Sequence, residues 1–414
     1  MNYNAWKTKT MFIKLLVRDL LQEKNLLLGL SLLGFFFFFI FNLFGSSGEQ
    51  QFFVLAQSFL HGHVYLGPSS STLDGSYFHG FAYWPQGVFP AVLLTPFVAL
   101  FSNLIQQGQL QFILNFLNFY LLYSIAYKIT NNKTTSLWLS FGYLFSTVYL
   151  AVGLVAWSWW FAQVVATSCL LLLVSEFMHK RRWFVMGICV ALATATRIDL
   201  FFAVFFPLFS LVFSRQSMPK KAANGLIFLS PVLFGFAGIA WYNFMRFGSV
   251  WEFGYAYHIP AIASAGKLLQ QYGAWNLFYF PTNFYYLFLK GVDAVSVTGT
   301  NYLAYPFIKP NPWGMSIFLT SPVLLWCLRA KWKDQIVKAS AATALFMLIF
   351  LLGYFGIGAR QYGYRYALDF QPFLFLILCF AFRSGMSRSA KMVIVVSFFF
   401  NLLFFSGIFT SVVR

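Results

Sequence analysis

Long apolar runs alternate with short polar stretches along the whole chain, and many of the runs approach the roughly 20 residues that carry a helix across a bilayer. They predict spans near 26–44, 110–127, 136–153, 161–178, 183–197, 200–214, 222–243, 313–328, 336–356, 367–383 and 391–409. Six basic clusters punctuate this pattern: Lys7–Lys24, Lys128/Lys133, Lys180–Arg182, Arg215/Lys220/Lys221, Arg329–Lys338 and Arg383–Lys391. Placing all six on the cytoplasmic face decides the topology. The stretch 88–127 then crosses once, so 88–104, interrupted by Pro90 and Pro96, is a juxtamembrane or re-entrant helix. Arg182 and Arg215 both belong inside, so 183–214 splits into two short spans that turn near Arg197 and Asp199.

The expected fold is an all-α polytopic membrane protein of about 11 transmembrane helices. A cytoplasmic amphipathic segment over 1–25 precedes a single transmembrane domain over 26–414, with outer loops 45–109 and 244–312 and no soluble C-terminal domain. The N-terminus is cytoplasmic and the C-terminus outside, in a bacterial inner (plasma) membrane. No cleavable signal peptide is read.

Composition sharpens this picture. With 60% hydrophobic and 9% charged residues, and a mean hydropathy of +0.70, the chain lacks the charge to cover a soluble fold. The net charge of +18 sits beside membrane segments and forms no continuous stripe, which favours anionic lipid over nucleic acid as the counter-charge. Cys169, Cys189, Cys327 and Cys379 lie in apolar runs without metal-ligand spacing, so neither metal nor cofactor is expected.

Only ten acidic residues exist, and six lie on or near the outer side: Glu49, Asp74, Asp199, Glu252, Asp293 and Asp369. Glu49 begins an amphipathic segment in which Phe52, Leu55, Ala56, Phe59 and Leu60 recur at helical spacing. It is either a reactive carboxylate at a helix N-terminus or the last member of a capping box Ser46-Ser47-Gly48-Glu49. Asp74 in Leu73-Asp74-Gly75-Ser76 is either a turn residue or a second reactive carboxylate. Tyr77, His79, Tyr83 and Trp84 follow it, as a sugar-contacting surface or an interfacial belt. Arg197 and Asp199 face each other only if the helix breaks there. Arg360 and Arg365 flank Gln361-Tyr362-Gly363-Tyr364 at headgroup depth, where a guanidinium fork suits phosphate oxygens. Asp369, four residues beyond Arg365, is placed to pair with it.

Several loose motifs accompany these residues. They are Gly48-Glu49-Gln50 with Ala56-Gln57-Ser58-Phe59-Leu60-His61-Gly62-His63, and Asp74-Gly75 through Tyr83-Trp84-Pro85-Gln86-Gly87. Thr196-Arg197, Trp241–Ser249 with Phe253-Gly254-Tyr255, Pro312-Trp313-Gly314 through Thr320-Ser321-Pro322, and Gly363-Tyr364-Arg365-Tyr366 complete the set. Through them the chain resembles the GT-C glycosyltransferase superfamily, in particular bacterial relatives of protein O-mannosyltransferases and aminoarabinose transferases. The resemblance implies a polyprenyl-phosphate-linked sugar donor, an acceptor glycan, lipid or protein at the outer face, and inversion at the anomeric carbon. It implies Glu49 as base, with Asp74 as the other choice. The phosphate candidates are Arg365, Arg360, Arg197, Lys290 and Arg246, and the substrate contacts His79, Tyr83, Trp84 and Tyr364. It also implies two juxtamembrane helices in the first outer loop. One carboxylate and a few cations suffice for this chemistry, because a phosphate leaving group needs charge stabilisation and no proton. The alternative is a transporter or flippase, against which stand the lack of an internal repeat and the scarcity of ionisable pairs at the membrane midplane.

Overall fold

The computed structural model describes residues 23–45, 48–68, 74–260 and 262–413. Nearly all of the expected amphipathic segment over 1–25 lies outside these residues, as do Ser46 and Ser47 of the expected capping box. Helix α1 (Glu23–Phe44) leads into α2 (Gln51–Leu60), a three-stranded antiparallel sheet and α3 (Phe89–Phe101). The sheet is formed by β1 (Gly67–Pro68), β2 (Ser76–Phe78) and β3 (Phe81–Tyr83), in the order β1-β3-β2. The bundle continues through α4 (Gln107–Thr130), α5 (Lys133–Phe145), α6 (Tyr149–Leu154), α7 (Ser158–His179), α8 (Trp183–Thr196), α9 (Phe205–Val212) and α10 (Met218–Phe247). A second large loop carries α11 (Ala263–Tyr272), α12 (Phe280–Phe284) and the hairpin β4 (Asp293–Ser296) and β5 (Leu303–Lys309). The chain closes with α13 (Ile317–Thr320), α14 (Gln335–Leu352), α15 (Gln371–Ala381) and α16 (Arg388–Val413).

Six of these helices, α1, α4, α7, α10, α14 and α16, are long and apolar enough to cross a membrane. The protein is a mostly helical membrane protein with two small sheets in its loops, where an all-α fold was expected. Helix α3 is short, as the run taken out of the span count by the basic clusters should be, and it continues through Pro96. The other five expected crossings are broken or short. The run 136–153 breaks at Ser146–Val148 into α5 and α6, and 200–214 begins as a 3-10 helix, Ile198–Val204. The run 313–328 contains only the four residues of α13 and a 3-10 helix Pro322–Arg329. The run 367–383 begins within a 3-10 turn, Arg365–Asp369, before the 11 residues of α15. Apolar composition records burial and says nothing of helix type, so these breaks are invisible in hydropathy.

Broken backbone inside a membrane protein needs polar partners. At the α5–α6 break the Thr147 carbonyl accepts from Tyr362 Oη (3.1 Å) and Asn401 Nδ2 (3.3 Å), and Ser321 Oγ accepts from Val148 N–H. At the end of α6 and just after it, one face of α4 does the same work. Gln107, Gln111, Asn115 and Asn118 recur every three or four residues and are fully buried. Gln107 Nε2 donates to the Ala156 carbonyl (2.7 Å), while Gln111 and Asn115 both donate to the Gly153 carbonyl at 3.0 Å. Asn118 donates to Tyr149 Oη at 2.7 Å, and Tyr149 Oη donates to Asn115 at 2.8 Å. Gly108 lets α4 touch the end of α1: a Cβ there would lie 2.0 Å from the Asn42 carbonyl oxygen.

Helix directions follow from contacts at the two ends of the bundle. Glu23 accepts from Trp138 Nε1 (2.7 Å) and from Lys391 Nζ, gathering the starts of α1, α5 and α16. Ser124 Oγ meets His179 Nε2 at 3.3 Å, joining the later part of α4 to the end of α7. At the opposite end the Glu49 carbonyl, just after α1, accepts from Ser158 N–H (3.0 Å) at the start of α7. Helices α1, α5 and α16 therefore run one way and α4 and α7 the other, the alternation that the basic clusters predict.

Candidate functional site

Both large loops meet at the Glu49 end of the bundle. Ser76 in β2 pairs with His258, Ser76 Oγ donates to the Gly254 carbonyl (2.8 Å), and Ile259 N–H donates to the Gly75 carbonyl (3.0 Å). Glu252 secures this second loop by accepting from Gly254 N–H at 2.5 Å. The segment after α14 is held against the same region. Asn276 N–H donates to the Gly353 carbonyl (2.8 Å) and Phe355 N–H to the Ala274 carbonyl (3.1 Å). Gln361, buried, donates to the carbonyls of Trp313 and Ile357, each at 2.8 Å, and so shapes the loop that presents Arg360 and Arg365.

These contacts enclose two adjoining chambers. The outer one, of about 450 Å³, brings Asp74, Arg360 and Arg365 together among Trp157, Trp159 and Trp160. The inner one, of about 200 Å³, is lined by Arg197, Asp199, Tyr242, Asn243 and Arg246 among others. Pro85, Gln86, Tyr255, Tyr354 and Tyr366 line both and form the boundary.

Arg365 is 7% exposed. Its guanidinium lies 5.7 Å from the Trp160 ring centroid and 5.2 Å from that of Tyr366, and donates to the Ala359 carbonyl at 3.1 Å. Its Nε has no partner, and among the described residues no carboxylate pairs with it. The expected Arg365–Asp369 pair does not form. Residues 365–369 are a 3-10 helix, which brings i and i+3 into line and leaves i+4 on another face. Asp369 instead accepts from Arg197 Nη2 at 2.9 Å. Arg197 has extended backbone (φ −148°, ψ 121°) at the end of α8, and this break brings the same nitrogen within 3.5 Å of Asp199. Arg360 is exposed, stands 5.9 Å from the Trp157 ring and takes a left-handed φ of +52°. Asp74 shares that conformation, with φ +56°. Two non-glycine residues held there on the wall of one chamber mark a place where local strain is tolerated.

Glu49 does not cap α2: the N-cap is Gln50, so Glu49 lies before the helix and not at its third position. Its carbonyl accepts from Ser158 N–H, Ser158 Oγ (3.1 Å) and Gln107 Nε2 (3.3 Å), and its carboxylate accepts from Gln51 Nε2. Gly48 lies against Trp157, whose ring lines the outer chamber, but Glu49 is absent from the lining of either chamber.

The remaining candidates scatter. Arg246 lines the inner chamber, donating to the Trp84 carbonyl (2.8 Å) and Asn243 Oδ1 (2.6 Å). Lys290 is paired with Asp293 at 2.5 Å and lines neither chamber. Burial alone would raise the Asp293 carboxyl, yet hydrogen bonds from Lys290 and Asn311 hold it below the usual value. Trp84 is fully buried, edge-on to Phe52, and Tyr364 is buried with its hydroxyl donating to Asn283. Tyr83 packs on Phe247, and His79 stacks on Phe78 at the β2–β3 turn. Sequence reasoning missed the Trp157–Trp160 wall, Tyr354 and His258, and gave no role to Tyr255 and Tyr366. Three tryptophans within four residues were the available signal, and an interfacial belt would produce the same one.

His258 lines the outer chamber, where burial lowers its pKa despite the opposing pull of Asp74 and the Gly75 backbone. The folded protein therefore favours the neutral ring. Its contribution to stability is complete above the unfolded-state value and is lost as pH falls from there towards the lowered folded value. Thermal unfolding followed from pH 7.5 to 5 should show a falling midpoint in the wild type and a shallower fall in His258→Gln.

No family model matches the sequence, and no curated protein is similar to it. Solved structures of an Archaeoglobus fulgidus oligosaccharyltransferase are similar in shape. The apo form is 12% identical, with 92% of this chain covering 56% of that one at a TM-score of 0.48. The form tethered to an acceptor peptide containing the NVT sequon is 10% identical, with 95% covering 55% at 0.47. The archaeal oligosaccharyltransferase AglB in complex with an inhibitory peptide and a dolichol-phosphate is 12% identical, with 86% covering 50% at 0.42. This chain thus spans about half the length of each, and its chemistry must be read from its own chambers.

Proposed function

We propose that the protein is a membrane glycosyltransferase that moves a sugar from a polyprenyl-phosphate donor to an acceptor hydroxyl on the outer face of a bacterial inner membrane, with inversion. The observation that carries this is Arg365: a buried guanidinium with no carboxylate partner among the described residues, on the wall of a chamber that also holds Asp74. A buried unpaired cation is costly, and an anionic ligand removes the cost. Arg360 supplies a second positive charge on the same wall. A sugar phosphate held there exposes its anomeric carbon to an acceptor entering the chamber.

The acceptor oxygen attacks the anomeric carbon from the face opposite the phosphate. The bond between that carbon and the phosphate oxygen breaks, and its electron pair leaves with the prenyl phosphate. The acceptor proton passes to Asp74. Arg365 and Arg360 stabilise the charge that builds on the phosphate, so no general acid is needed. The tryptophans and tyrosines of the wall give the sugar apolar faces to lie against.

A second assignment of the base has its own support. Three donors converge on the Glu49 carbonyl, and the neighbouring Gly48 touches Trp157. Such fixed positioning suits a catalytic carboxylate. The function is tested with purified protein and radiolabelled prenyl-phosphate sugars in the presence of membrane acceptors. Release of sugar-free prenyl phosphate with label appearing in acceptor is expected. Movement of intact donor between leaflets without bond cleavage would establish a flippase in its place.

A further inference from the structure

We propose that the hairpin of β4 and β5 is a lipid anchor, which seats the second large loop in the leaflet at the Glu49 end of the bundle. The run between Asp293 and Lys309 contains no charged residue. Six apolar or aromatic side chains on it are exposed: Val297, Tyr302, Leu303, Tyr305, Phe307 and Ile308, with Tyr305 exposed to 87%. Residues 305–309 are exposed without a break, so the strand is open on both of its faces. The strands pair from Asp293–Lys309 to Ser296–Leu303, and Val297 N–H donates to the Tyr302 carbonyl at 2.9 Å. The apolar surface therefore belongs to a formed hairpin. In water that hairpin has two faults. A lone two-stranded hairpin is marginally stable, and an exposed strand edge is ordinarily blunted by charge.

The base of the hairpin fixes its depth. Pro310, directly after β5, lies against α16: a Cβ added to Gly407 would stand 3.3 Å from Pro310 Cδ. Gly407 is sixteen residues along α16 from Lys391, a rise of about 24 Å. The hydrocarbon of a bilayer is about 30 Å thick, so with Lys391 at one headgroup boundary Pro310 stands just within the other. Lys290 and Asp293 neutralise each other at this base, and Asn311 donates to the same carboxylate at 2.7 Å. Lys309 is exposed beside them, with a stem long enough to carry its ammonium to the headgroups.

Two features select lipid over a protein partner. A folded partner covers one face of a hairpin, whereas fluid acyl chains cover both. Tyr302 and Tyr305 each carry an apolar ring with a polar tip, the chemistry enriched where membrane meets water. The anchor also steadies the outer chamber. Trp313 follows Pro310 by three residues and lines that chamber, and its carbonyl accepts from Gln361 in the loop bearing Arg360 and Arg365.

The test uses the full chain in phosphatidylethanolamine–phosphatidylglycerol vesicles, with a nitroxide on Tyr302→Cys or Tyr305→Cys. Leu403→Cys serves as the lipid-facing reference, since Leu403 is exposed on the spanning helix α16. The native Cys169, Cys189, Cys327 and Cys379 are buried, so the label goes to the new thiol. Dissolved oxygen gathers among acyl chains, and a polar nickel chelate stays in water. At both hairpin positions the label should collide with oxygen severalfold faster than with the chelate, as at Leu403. A chelate rate equal to or above the oxygen rate at 302 and 305 places the hairpin in water and overturns the anchor. Low rates with both reagents place it under a protein surface, a second copy or another subunit, and overturn it equally. The readout is lipid contact, so failure of the anchor leaves the glycosyltransferase standing, and failure of the glycosyltransferase leaves the anchor.

Discussion

Asp74→Asn lowers turnover by about 10²- to 10⁴-fold without weakening binding of the prenyl phosphate. Asparagine keeps the shape of the side chain and tolerates the left-handed backbone at this position, so the loop is preserved while the proton acceptor is lost. The defect should fall on kcat, with KM for the donor little changed. Glu49→Gln is the necessary companion. Its backbone contacts to Ser158 and Gln107 do not involve the carboxylate, so the variant should fold and retain most of its activity. If Glu49→Gln is the dead enzyme and Asp74→Asn the live one, the base is Glu49.

Arg365→Met is expected to weaken binding of sugar-free prenyl phosphate by about 10- to 100-fold, the scale of losing hydrogen bonds to a charged group. Arg365→Lys should restore only part of this, because an ammonium cannot reproduce the planar fork. The second measurement is thermal. A structural arginine costs stability when removed, whereas deleting a buried cation that has no carboxylate partner among the described residues should leave the ligand-free midpoint unchanged or raised. A large drop in that midpoint together with unaltered donor binding would rule out the role assigned to Arg365.

Much of the frame was legible in sequence because the signals were redundant. The six long helices stand close to where the apolar runs put them, and the run 88–104, taken out of the span count by the basic clusters, is the short α3. The Arg197–Asp199 contact also followed, since only a helix break allows an i,i+2 pair. What failed depended on helix type. Asp369 was assigned to Arg365 on α-helical spacing, and a 3-10 turn sends it to Arg197. The polar face of α4 was unread because Gln107, Gln111, Asn115 and Asn118 only dilute its apolar character; their meaning lies in the carbonyls of α6 and the segment after it, around forty residues away. At the site, Asp74 and the two cations of the outer chamber were named from residue type and position. Lys290 carried the same credentials and is spent on Asp293. Chemistry-bearing types narrow the search, but only contacts distant in sequence separate the occupied from the available.

The clasp between Gly75–Ser76 and Gly254–Ile259 has a consequence for how the protein is made. Its halves leave the ribosome far apart in time, and the wall bearing Arg360 and Arg365 emerges a further hundred residues later. Synthesis proceeds at about 5–20 residues per second, so the first loop waits many seconds for its partners. The outer chamber therefore cannot be complete before nearly all of the chain has been made, and a ribosome that stalls midway leaves a fragment without it.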